Sequence, residues 1–84
     1  MKNYYITFRS VTIAQRGERL LEGAGISCSL QRTPRWMEEQ GCGYALRIWT
    51  EDIAAVLELL RKNQILMKRL YKATQGGHLE EMHL

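Results

Sequence analysis

An α+β sandwich, four antiparallel strands with two helices on one face, is the fold class this sequence predicts. Three observations predict it. The apolar period alternates between every second residue and helical spacing along the chain. Cap residues and glycines fall where the period changes. The resulting order of segments is β-α-β-β-α-β, the ferredoxin-like pattern.

The first strand is read from Tyr4-Tyr5-Ile6-Thr7-Phe8, aromatic and β-branched, with Tyr4, Ile6 and Phe8 on one face. Ser10 then stands at a helix N-cap position. Val11, Ala14, Leu21 and Ala24, widened by Ile13 and Leu20, form the apolar stripe of the first helix. Arg16, Glu18, Arg19 and Glu22 take its outer face, and Gly23 and Gly25 end it.

Ile26-Ser27-Cys28-Ser29-Leu30-Gln31 alternates strictly, as a half-buried strand does. From Arg32 to Gly41 the alternation stops, and Pro34 forbids a continuing central strand. A third strand follows, with Tyr44, Leu46 and Ile48 facing one way and Ala45, Arg47 and Trp49 the other.

Thr50-Glu51-Asp52 opens the second helix, with Thr50 as cap and two acids to complement the helix dipole. Its stripe is Ile53, Val56, Leu57 and Leu60, and Asn63 closes it. Residues 65–71 admit two readings, a fourth strand or a continuation of the helix through Leu66, Leu70 and Ala73. The strand is favoured because Asn63-Gln64 interrupts the helix. Residues 1–74 are therefore read as one domain, and 75–84, polar and containing Gly76-Gly77, as a flexible C-terminal tail.

The 84 residues suffice for one modest core, not for a deep two-lobed active site. With 45% hydrophobic and 25% charged residues, disorder is excluded outside the ends. No apolar run approaches the roughly 20 residues of a membrane helix, and Met1-Lys2-Asn3-Tyr4-Tyr5 lacks a secretory h-region. A cytoplasmic protein with no membrane partner is expected, with its two cysteines as free thiols. The net charge of +3 permits attraction to an acidic protein but falls short of a dedicated nucleic-acid footprint.

Cys42 is the main chemical candidate. Gly41 and Gly43 flank it, which leaves the sulfur accessible and lets backbone N–H groups approach. Arg32 and Arg35 favour its thiolate, and Glu38 and Glu39 oppose it. The plain alternative is a cysteine that fills a gap. Cys28 shares a face with Ile26 and Leu30 and reads as a small core residue. Trp36 and Met37 either tuck under their loop or form a docking surface. Arg47 and Trp49 project to the sheet face away from the helices, as a dimer contact or plain surface, and in outline as a single-strand platform. Without an RNP-like motif, nucleic acid is disfavoured. No metal site, cofactor loop or catalytic triad can be assembled, so a carrier or binding protein fits better than a self-contained enzyme.

The residues Pro34-Arg35, followed by Cys42-Gly43-Tyr44-Ala45-Leu46-Arg47, resemble the PR…CG-x-A-L-R core of the selenium/sulfur carrier-like family. The likeness runs over about residues 4–71 and includes Phe8, Ser10, Ala14, Leu20-Leu21 and Gly25-Ile26. Trp36-Met37-Glu38-Glu39-Gln40 stands where that family carries small or hydroxyl residues. The resemblance implies that Cys42 is a carrier thiol for sulfane sulfur or selenium, with Pro34 and Arg35 shaping and charging its surroundings. It implies a donor such as a cysteine desulfurase and an acceptor protein as partners, and no cofactor. The rival reading is a non-catalytic interaction or regulatory module, a homodimer among its forms, that uses the open sheet face.

Overall fold

The computed structural model describes residues 2–33 and 43–84, arranged as β1 (Lys2–Thr7), α1 (Val11–Gly23), β2 (Ser27–Arg32), β3 (Tyr44–Thr50), α2 (Ile53–Lys62), β4 (Arg69–Ala73) and β5 (Leu79–Met82). The strands form one antiparallel sheet in the order β2-β3-β1-β4-β5. The α+β class holds, but where four strands are expected the described residues form five.

Both helices start on side-chain caps, because the first turn of any helix leaves N–H groups without intrahelical partners. Ser10 Oγ accepts from the Ile13 amide at 3.2 Å. In α2 the cap is Asp52, whose Oδ1 accepts from the Ala55 amide at 3.1 Å. Thr50 was expected there. Its hydroxyl instead accepts from the Asp52 amide at 3.0 Å and orients the cap from outside the helix.

The two helices also end alike. In α1 the Ile26 amide donates to the Leu21 carbonyl at 2.9 Å and Gly25, at φ +78°, to that of Glu22 at 3.0 Å. In α2 the Ile65 amide donates to Leu60 and that of Gln64 to Arg61, both at 3.0 Å. Each pair is a Schellman ending, which reverses the chain and drops an apolar residue back onto the helix. Ile65 is thereby buried beside Leu60. Gln64 takes the left-handed position, φ +60°, that glycine usually fills. Residues 65–68 are consumed by this reversal, so the fourth strand begins at Arg69 rather than Ile65.

The core lies between the helices and one face of the sheet. Tyr4, Ile6 and Phe8 supply it from β1 and its end, Leu46 and Ile48 from β3, and Leu70 from β4. Ala14 and Leu21 come from α1, and Val56, Leu57 and Leu60 from α2. Gly17 is the point of closest approach. A Cβ there would stand 3.3 Å from Leu46 Cδ1 and 3.6 Å from Ile65 and Leu60, so the bare backbone lets α1 settle closely against both the sheet and α2.

The fifth strand lies within the polar 75–84 segment. The Thr74 amide and hydroxyl both donate to the His78 carbonyl, at 2.8 and 3.1 Å. Gly76 and Gly77, at φ +82° and +79°, turn the chain between these two residues, so the glycine doublet builds a hairpin. Met82 then pairs with Leu70 and packs against the core, while Glu80 stands opposite Lys72. The strand reads as tail in the sequence because two of its four residues are glutamates. An edge strand tolerates them, and charge there discourages pairing with another chain.

Candidate functional site

Residues 34–42 join β2 to β3, and the described residues on either side of them, Thr33 and Gly43, are adjacent. The Thr33 amide donates to the Gly43 carbonyl at 3.0 Å. Gly43 sits at φ +80°, where an L side chain is strained. Cys42, Pro34, Arg35, Trp36, Met37 and Gly41, all singled out in the sequence, lie outside the described residues. What the structure places is the frame from which they depart.

That frame is cationic. The hairpin end of the sheet holds the end of β1, the start of β4 and, because α2 runs antiparallel to β3, the end of α2. The Lys68 amide donates to the Thr7 carbonyl at 2.8 Å, which ties the α2–β4 connection to this end. Among the described residues, Arg9, Arg32, Arg61, Lys62, Lys68 and Arg69 lie toward this end, with Glu81, which Arg69 meets at 3.3 Å, and Glu58, one turn before Arg61 and Lys62 on α2, as carboxylates near them. Arg32 lies over the Tyr44 ring, 5.2 Å from its centroid, a cation–π contact that holds the guanidinium beside the hairpin. Glu22, Glu51 and Asp52 lie at the opposite end, where α1 stops and α2 starts.

Cys28 is placed apart from this frame. It lies on the helix face of β2 and packs against the core, its Sγ 3.8 Å from the Glu18 carbonyl oxygen, to which it donates. Burial pushes its thiol from 9.0 up to about 11, with Glu22 and Glu18 adding to the rise. A thiol so protonated is a poor nucleophile at neutral pH. Glu18 also uses Oε2 to accept from the Leu30 amide at 3.2 Å, linking α1 to β2.

The sheet face away from the helices carries Arg47 and Trp49, as the alternation predicts. The Arg47 guanidinium carbon is 4.8 Å from the Trp49 ring centroid and 5.6 Å from that of Tyr5. Its Nε is buried without a hydrogen-bond partner among the described residues. Register places Tyr5 opposite both Arg47 and Tyr71, so three strands contribute to this platform. The sequence reading missed Tyr5 and Tyr71. Alternation could put Tyr5 on this face, but only strand order sets Tyr5 between Arg47 and Tyr71.

Among the described residues no group of three or more His, Cys, Asp and Glu side chains could hold a metal ion. No helix formed by them is long and apolar enough to cross a membrane.

A family model described as "Putative Se/S carrier protein-like" matches residues 3–72, from β1 through most of β4 and across Cys42. No curated protein and no solved structure matches the chain.

Proposed function

The chain belongs to the Se/S carrier protein-like family, and from that premise we propose that it carries sulfane sulfur or selenium on the thiol of Cys42. The observation that carries this reading is the family match across residues 3–72, which contains Cys42 and its flanking glycines. The state of Cys28 favours Cys42 over it, since burial that pushes a thiol up to about 11 leaves it a poor nucleophile at neutral pH.

Loading needs no acid–base apparatus. The Cys42 thiolate attacks the outer sulfur of a donor persulfide. A bond forms between Cys42 Sγ and that sulfur, the donor's S–S bond breaks, and the donor departs as a thiolate. The transferred sulfur keeps its oxidation state, and no external oxidant is required. Docking supplies the proximity, and the cations of the hairpin end favour the thiolate form. A donor such as a cysteine desulfurase in a reducing cytoplasm fits this chemistry. We read the strands β2-β3-β1-β4 as a ferredoxin-like unit to which β5 has been added.

A second reading, an interaction module that works through its sheet face, is favoured by the Tyr5-Arg47-Trp49 platform. Intact-mass spectrometry after incubation with a small-molecule persulfide separates the two. Carriage predicts the gain of one sulfur atom by wild type and by Cys28→Ala but not by Cys42→Ala. A folded wild type that gains none sinks the carrier reading.

A further inference from the structure

A carrier has to be met by the proteins that load and unload it, and the helix layer offers a surface with one clear chemistry. A groove of about 240 Å³ lies between α1 and the end of α2, lined by Arg16, Arg19, Leu20, Asn63 and Ile65. Arg16, Arg19 and Leu20 share a face of α1 because residues three and four apart do so. Ile65, delivered by the Schellman ending of α2, is 3% exposed and forms an apolar floor with the half-buried Leu20. Arg61 and Lys62 stand exposed in the last turn of α2.

Arg16 and Arg19 are both exposed, and no described residue pairs with either. Two guanidinium groups on adjacent turns repel each other and remain fully hydrated. A carboxylate bridging them removes the repulsion and accepts charge-assisted hydrogen bonds. We propose that this groove is the docking site for an acidic segment of a protein partner, carboxylates engaging Arg16 and Arg19 and an apolar side chain resting on Leu20 and Ile65. The inference rests on the carrier reading for its purpose, since the end of α2 shares the end of the sheet from which residues 34–42 depart.

A protein segment fits better than a nucleic acid for a geometric reason. Single strands need aromatic rings alongside cations. Here the groove floor is aliphatic, and Tyr5, Trp49 and Tyr71 lie on the other side of the sheet.

The test is fluorescence anisotropy with a fluorescein-labelled peptide of repeating Glu-Glu-Leu. The proteins compared are wild type, Arg16→Gln/Arg19→Gln, Lys2→Gln/Lys72→Gln and Cys42→Ala. The second double variant removes the same charge from the opposite end of the sheet. Loss of the arginine pair should weaken binding about tenfold or more, while the lysine pair and Cys42→Ala bind like wild type. Equal weakening by the two double variants would reduce the effect to net charge and overturn the proposal. So would no weakening by either, or a labelled oligothymidylate that binds the groove more tightly than the peptide. The assay involves no thiol chemistry, so failed sulfur loading with intact groove binding sinks carriage alone. Loading with no dependence on Arg16 and Arg19 for peptide binding sinks docking alone.

Discussion

Thr33 donates its amide proton to the carbonyl of Gly43 across 3.0 Å, and this bond closes the frame from which the Cys42 segment leaves the sheet. Gly43 makes the closure at φ +80°. A β-carbon there costs about 1–2 kcal/mol. Gly43→Ala is expected to lower the urea midpoint accordingly. Gly43→Asn should lose less, because asparagine tolerates the left-handed region. Equal stability of Gly43→Val and wild type would show that the conformation is not enforced.

The two thiols should separate by pH. In Cys42→Ala, alkylation of Cys28 by iodoacetamide is expected to be slow at neutrality and to rise about tenfold per pH unit below its pKa, levelling near 11. The same shift links to stability. The unfolded thiol ionises near 9.0 and the folded one near 11, so its contribution is complete below 9.0, falls between these values and is gone above them. In urea titrations, Cys42→Ala should lose stability relative to Cys42→Ala/Cys28→Ala as pH rises across that window, and the difference between the two should be constant below it.

Arg47 should report through Trp49. With Trp36 replaced by Phe, emission of Trp49 is expected to shift on Arg47→Ala, because the guanidinium 4.8 Å from its centroid is removed. Loss of the contacts to Trp49 and Tyr5 should cost about 1–2 kcal/mol. Arg47→Met keeps the aliphatic stem over the rings and should recover part of this. An unchanged spectrum would mean that the stack does not persist in solution.

Removal of residues 78–84 uncovers the outer edge of β4 and the side of Leu70 that Met82 covers. Lower stability and self-association, seen by sedimentation velocity, are expected from the freed edge. The Arg69–Glu81 pair itself should contribute no more than about 1 kcal/mol in a double-mutant cycle, since it is solvent-exposed.

Gly17 sets how closely α1 meets the sheet. Gly17→Val forces methyl groups against Leu46, Ile65 and Leu60 and should destabilise by about 1–3 kcal/mol through overpacking. Wild-type stability in that variant would mean that α1 can shift outward freely.

Local periodicity was enough to place both helices and the first three strands, because each has a polar and an apolar side to show. Ser10 as a cap, Gly25 as a helix end and Arg47 with Trp49 on the outer face followed from the same rule. The resemblance carried by Pro34-Arg35 and Cys42 to Arg47 pointed to the family that the match over residues 3–72 establishes. The chain beyond α2 was harder. Asn63 closes the helix as its sequence suggests, but Gln64 holds a glycine-like conformation with no glycine to announce it, so the use of residues 65–68 in the reversal is not legible and the fourth strand starts later than its apolar run.

Only the tertiary structure decided the rest, and the reason is the same in each case: the deciding partner lies on another element. β5 has two glutamates and no apolar face of its own, and it is a strand because β4 offers it hydrogen bonds and Leu70 offers Met82 a contact. Tyr5 stands between Arg47 and Tyr71 because strand order, which alternation does not encode, puts β1 between β3 and β4. The groove of Arg16, Arg19 and Ile65 exists because Gly17 lets two helices close on each other. A sequence shows which face each element must bury; what lies across from that face is set by packing.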